Sequence, residues 1–323
     1  MKVPPKLSDL TKDQLEVRPV SDDALIYPPV GFLSWPVGGI GNGDEFGYYW
    51  PIGKEAGDPL VVMMSHDCGA IIPVASSLES LGALGAYPEI TSLLDGTPYP
   101  PDDDEEDTDS ELRLDKLSLD PRSPFLLVAN ADAAVAGNEL ERAEHLYQQA
   151  IELLPEYTAA HFGLVTVYRR QRKTAAAVRS MVETIRSPLC FQGASFWADT
   201  SLRDLNRSDF RRKCLMWLQQ ARLEEADRVT NDPIFRLRDR LTFATGLKSI
   251  DDFPFYDQAI DEYASQGHGL DAIRLLMLYG ELMKCETVSF SERYEFTMPK
   301  YRERLLTLCR VAAPERAAFL VGS

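Results

Sequence analysis

One stretch divides the chain: PPDDDEEDTDSE, from Pro100 to Glu111, carries eight acidic residues and no basic one. Such a run repels itself and has too little apolar surface to bury, so it reads as a solvated hinge. The residues before it are rich in Gly and Pro with short apolar runs, and those after it are dominated by helix formers. The expected organisation is an α+β domain over residues 1–99, an acidic linker over 100–120 and an all-α helical repeat domain over 121–323. At 323 residues and 45% hydrophobic content, the chain can support two such cores.

The charge follows the same division. Residues 1–111 hold 21 acids and 5 bases, a net of −16, whereas residues 112–323 hold 29 of each. Phosphate recognition needs basic surface, so nucleic-acid binding by the first third is excluded. An acidic surface would instead attract a basic partner and speed its encounter. Solubility alone is the plainer use of the same charge.

No run of about eighteen apolar residues is present, so no membrane-spanning helix is expected. The opening MKVPPKLSDL lacks the apolar segment of a secretory signal. Cys68, Cys190, Cys214, Cys285 and Cys309 are far apart and form no CxxC pair. That pattern suits reduced, buried thiols in a cytoplasm, not a disulfide frame or a zinc site. No metal or cofactor is expected.

Within the first domain, Phe46, Tyr48, Trp50 and Ile52 alternate at period two, the mark of a half-buried strand. Asn42-Gly43 before it is a turn signal, GKEAGD (Gly53 to Asp58) is another, and PLVVMMS (Pro59 to Ser65) is a second strand. HDCG (His66 to Gly69) turns into AIIPVA (Ala70 to Ala75), and SSLESLGAL (Ser76 to Leu84) starts a Ser-capped helix. The result is a small antiparallel meander followed by a helix.

Two stretches invite catalytic readings. In GGIGNGDEFGYYWPIG (Gly38 to Gly53) the glycines precede a strand. A dinucleotide fingerprint places them between a strand and a helix, whose N-terminus holds the pyrophosphate. No GKS or GKT is present either, so the glycines read as turns. In SHDCG, His66 and Cys68 sit in one tight turn, which supplies neither a positioned base nor three zinc ligands. His145, His161 and His268 lie in helical contexts, the first two reading as helix-surface residues. The chain is not expected to be an enzyme.

The order of turn, aromatic strand, PLVVMMSHDCG and IPVASSLESL resembles the SMI1/KNR4 (SUKH) superfamily over residues 28–85. Asn42, Gly43, Asp44 and Phe46 match its turn and strand, His66 its strand end, and Ala75, Ser76, Ser77, Leu78 and Leu81 its helix start. In GNELERAEHLYQQAIELLP, Ala143, Tyr147, Ala150 and Pro155 resemble the spacing of a tetratricopeptide (TPR) repeat, with Ala177 and Ala272 in later alanine positions. Small alanines let paired helices approach, and Pro155 ends the second helix.

The first resemblance implies an immunity protein that binds a polymorphic or contact-dependent bacterial toxin and occludes its active site. The charge adds that the toxin is basic, of nuclease type or another kind that acts in the cytoplasm. The residues expected to meet it are Asp44, Glu45, Tyr49, Trp50, Glu55, Asp58 and Asp67, the aromatics as anchors and the acids as steering groups. Tyr48 and Trp50 share the strand face that turns to the core, whereas Tyr49 points the other way. The alternative is a TPR-containing regulatory or assembly scaffold.

Overall fold

The computed structural model describes residues 32–35, 45–64, 71–84, 114–192, 209–222, 228–242, 252–285 and 297–322. Four strands, β1 (Phe32–Trp35), β2 (Glu45–Tyr49), β3 (Leu60–Met64) and β4 (Ile71–Ala75), form an antiparallel meander in sequence order. The register pairs Tyr49 with Leu60, which leaves residues 50–59 as the β2–β3 loop. Pro73 lies in the edge strand β4, and the β3–β4 ladder slips between Val61 and Met63. A residue with no N–H to donate is tolerated at such an edge irregularity.

Both faces of the sheet are covered. Tyr49, Leu60, Val62 and Ile71 share one face and pack into the helical core. Tyr48, Val61, Met63 and Ile72 lie on the other and are equally buried. There α1 (Leu78–Leu84) packs against β4, burying Leu81 and Leu84 and placing Glu79 near the phenol of Tyr48. The helix opens at Leu78 behind its serine cap, with Ser77 Oγ accepting from the amide of Ser80 at 3.1 Å.

The helical part opens with two hairpins. α2 (Pro124–Ala136) pairs with α3 (Leu140–Leu153), and α4 (Thr158–Arg170) with α5 (Thr174–Arg186). Ser123 caps α2: its Oγ accepts from Leu126 N at 3.2 Å and donates to Val74 O at 2.9 Å, so one side chain starts the helix and ties it to β4. Ala143, Ala150 and Ala177 are buried where helices approach, and Tyr147 fills the space against Gly163. Each hairpin turns through a residue of positive φ, Asn138 at 60° and Arg172 at 59°. Equivalent backbone bonds close them, Glu139 N to Ala134 O and Lys173 N to Tyr168 O.

α6 (Asp209–Gln220) packs on α5, and the short α7 (Pro233–Leu237) is capped by Asp232. A third hairpin, α8 (Phe253–Ser265) with α9 (Gly269–Cys285), turns through Gly267 at φ 82°. His268 N bonds to Tyr263 O there, as in the first two hairpins. α10 (Met298–Ala312) crosses Gly280 with the ring of Tyr301, and α11 (Pro314–Gly322) closes the chain. The described residues are thus mostly helical, with a small antiparallel sheet near the N-terminus, an α+β part followed by a helical one.

The expected hinge is only partly within the described residues, since Pro100–Glu111 lies outside them. Its far end is fixed rather than solvated: Leu114–Ser118 forms a 3₁₀ turn against α2, and Asp120 is buried. Sheet and helices share one hydrophobic core, which includes Tyr49, Ile52, Leu127, Tyr157 and Phe191. Of the five thiols, Cys190, Cys214 and Cys309 are free and buried; Cys68 lies outside the described residues.

Candidate functional site

The β2–β3 loop is the place where the sheet enters the helical array. Trp50, Ile52 and Glu55 are all but fully buried on it, and Gly53 takes φ 81° with its α-carbon against Leu270 of α9. The left-handed backbone favours glycine at this position, and a Cβ there would also press on a methyl of Leu270.

Two side chains from distant segments grip the loop. Glu156, in the α3–α4 connection, accepts at Oε1 from Tyr49 Oη at 2.5 Å and from Ile52 N at 2.9 Å. Arg316, on α11, donates from Nε to Glu55 Oε1 at 2.7 Å and from a terminal nitrogen to the carbonyl of Trp50. Lys54 adds a bond to the carbonyl of Glu152. Arg316 is 0% exposed and Glu55 3%, so this ion pair is held out of water. Burial works against the guanidinium charge, but Tyr49 and Glu55 beside it together raise its already high pKa further. Burial raises the Tyr49 phenol well above its ordinary value, with Glu156 acting the same way.

These positions correct the expected contact surface. Tyr49, Trp50 and Glu55 face inward, are bonded within the chain, and offer nothing to a partner in this conformation. Asp58, on the outer edge of the same loop, is exposed. Glu45 opens β2 opposite Met64, and Asp44 and Asp67 lie outside the described residues, as do His66 and Cys68. The alternation of Phe46, Tyr48, Trp50 and Ile52 marks a strand only as far as Tyr49, with Trp50 and Ile52 in the loop that follows, and it presumes one wet face where Tyr48 and Tyr49 are both buried.

A second polar cluster joins α5 to the α7–α9 block. Arg186 reaches Glu183 on its own helix, Asp271 at 3.2 Å and Asp232 at 3.7 Å. Arg274 reaches Asp271 at 3.4 Å and Glu183 at 3.7 Å, and Tyr263 donates to Asp232 at 2.7 Å. Nearby, His161 is buried rather than on a helix surface, bonded through Nε2 to Pro155 O at 2.8 Å. The carbonyl can only accept, so Nε2 carries the proton. Burial lowers the imidazole pKa, and the charge of Glu183 opposes that shift. His145 and His268 are exposed, the latter 3.8 Å from Asp271. With cations and carboxylates already paired, this cluster works as an electrostatic joint between helices.

Deeper in, Glu281 on α9 accepts from Leu189 N at 2.5 Å and Cys190 N at 3.3 Å, and burial raises its carboxyl pKa. Burial also pushes the thiol of Cys190 well above its ordinary range, the reverse of what a nucleophilic cysteine requires. Among the described residues, no group of His, Cys, Asp and Glu could hold a metal ion. No helix among them is long and apolar enough to cross a membrane.

Sequence reasoning could find Tyr49, Glu55 and Trp50 as an unusual cluster but not their partners. Glu156 looks like an ordinary acid at a helix end, and Arg316 like a surface cation near the terminus. The one local hint is that Arg316 sits in the first turn of α11, where a cation opposes the helix dipole.

Comparison with known proteins overturns both family resemblances. Residues 7–90 match the YfbP N-terminal domain and residues 244–319 the YfbP C-terminal domain, not SMI1/KNR4 or TPR families. The alanine and tyrosine spacing reflects what any tightly packed helical hairpin demands, and the turn–strand–helix order fits any small meander. Over 313 residues the chain is 28% identical to "Uncharacterized protein YfbP" of Escherichia coli (strain K12), covering 96% of each chain.

Proposed function

We propose that the chain is a non-catalytic binding protein whose acidic amino-terminal third receives a basic protein partner. One observation carries this reading: residues 1–111 have a net charge of −16, while residues 112–323 are balanced. A charge field of one sign steers a complementary partner and weakens with salt. Asp58 is the exposed acid of the loop, and Asp44, Glu45, Asp67 and the Pro100–Glu111 run supply further charge along the sequence.

The narrower form, first implied by the overturned family resemblance and kept on charge alone, is capture of a basic toxin, nuclease-type or otherwise acting in the cytoplasm, by covering its active site. It keeps the electrostatic support and loses the family support. Capture of basic proteins from the source cell at low and high salt tests the general reading. Replacing the eight acids of Pro100–Glu111 by their amides, together with Asp58→Asn, should weaken capture at low salt. Equal capture by that variant would sink the reading. Co-expression with a captured basic protein tests the narrower form, and binding without growth protection would favour a scaffold instead.

A further inference from the structure

We infer that the β2–β3 loop is a guanidinium-binding pocket that the chain fills with its own Arg316. The loop presents three complementary groups to that side chain. Glu55 supplies a carboxylate oxygen at 2.7 Å from Nε, Trp50 a backbone carbonyl, and Tyr49 a ring whose centroid lies 5.7 Å from the guanidinium carbon. The carboxylate is itself oriented by the amide of Gly53, 3.1 Å from the same Oε1. An acceptor fork with an aromatic wall suits planar guanidinium, not compact ammonium.

Two features set this apart from an incidental ion pair. The groups that hold Arg316 come from one continuous segment, residues 49–55, so the pocket belongs to the loop and the arginine to another element. That arginine also stands in the first turn of α11, where the helix dipole disfavours a cation. Its place is therefore set by the pocket and not by the helix. The pocket rests on loop geometry alone and stands apart from the acidic-surface reading above.

Chemical rescue tests it in the full-length chain. Arg316→Ala should lower Tm by about 5 °C or more, as expected when a buried ion is left without its partner. Propylguanidinium in the low-millimolar range should restore Tm saturably, propylammonium should not, and the wild type should respond to neither. Rescue by both cations alike, or by neither in a folded variant, overturns the pocket. Should Arg316→Ala fail to fold, Arg316→Lys keeps the test open. It retains the charge but not the fork, so an unchanged Tm refutes guanidinium recognition. The swap Glu55→Arg with Arg316→Glu restores an ion pair but points a carboxylate at the Trp50 carbonyl and Tyr49 ring. It should stay destabilised, and full recovery would reduce the site to a simple charge pair.

Discussion

The phenol of Tyr49 donates to Glu156 at 2.5 Å across 107 positions of chain, and both side chains are fully buried. The same Oε1 takes the amide of Ile52, while Oε2 of Glu156 is buried without a partner. One carboxylate thus fastens the last residue of β2 and the start of its loop to the α3–α4 connection. Glu156→Gln keeps an acceptor and turns the unpartnered oxygen into an amide, so stability by urea unfolding should change by less than about 1 kcal/mol. Glu156→Ala strands two buried donors and should cost about 2–4 kcal/mol. Equal losses in the two variants would show that the carboxylate does not act through these bonds.

Close packing inside the first two hairpins rests on Gly163. A Cβ placed there would lie 2.3 Å from the ring of Tyr147, whose hydroxyl is anchored on Asp132. The ring cannot retreat without losing that bond, so Gly163→Ala should destabilise by about 1–3 kcal/mol despite its higher helix propensity. Pairing it with Tyr147→Leu should recover part of the loss. A double-mutant cycle with coupling near zero would contradict the contact.

Acidification should destabilise the fold through His161, buried on α4. Burial lowers its folded-state pKa, so below about 6.5 the unfolded chain takes up a proton before the folded one does. The imidazole's contribution is therefore present above that value and lost as pH falls through the lowered folded value. Glu183 moderates the loss, while Arg186 and Arg274 add to it. The difference in unfolding free energy between wild type and His161→Gln should shift in favour of the variant from pH 7 to pH 5. A constant difference would mean that the imidazole titrates alike in both states.

Much of the local architecture was legible because it follows from short-range patterns. Val61, Val62, Ile71 and Ile72 announce β3 and β4 by β-branching, and Ala143, Ala150 and Ala177 announce close helix pairs. The fate of Tyr49, Trp50 and Glu55 was not legible, because each is decided by a residue about a hundred or more positions away. An acid beside two glycines in a turn reads as solvated until a buried arginine is found opposite it. His161 misleads for the same reason: its partner carbonyl at Pro155 is near in sequence, but the charges around it lie on α5 and α9. The family assignment failed on a different ground, since packing rules shared by many folds were read as lineage.

Asp120 was placed by sequence in a solvated linker, yet it is 1% exposed and holds the end of β4. Its Oδ2 accepts from Ser76 N at 2.7 Å, and its Oδ1 accepts from Ser76 Oγ at 2.7 Å and Arg122 N at 3.2 Å. Three donors converge on one carboxylate just before Ser123 begins α2, so strand end and helix start share a single fastening. Asp120→Asn can satisfy Ser76 N or its hydroxyl through the amide oxygen but places donors where an acceptor is needed, and should cost about 1–2 kcal/mol. Asp120→Ala leaves all three donors unmade and should cost about 2–4 kcal/mol. Amide exchange at Ser76 and Arg122 should accelerate in Asp120→Ala, and at one of the two in Asp120→Asn, while the amides within α8 and α9 keep their protection. If exchange in those two helices rises to the same extent, the damage is global and the fastening is not local to the junction.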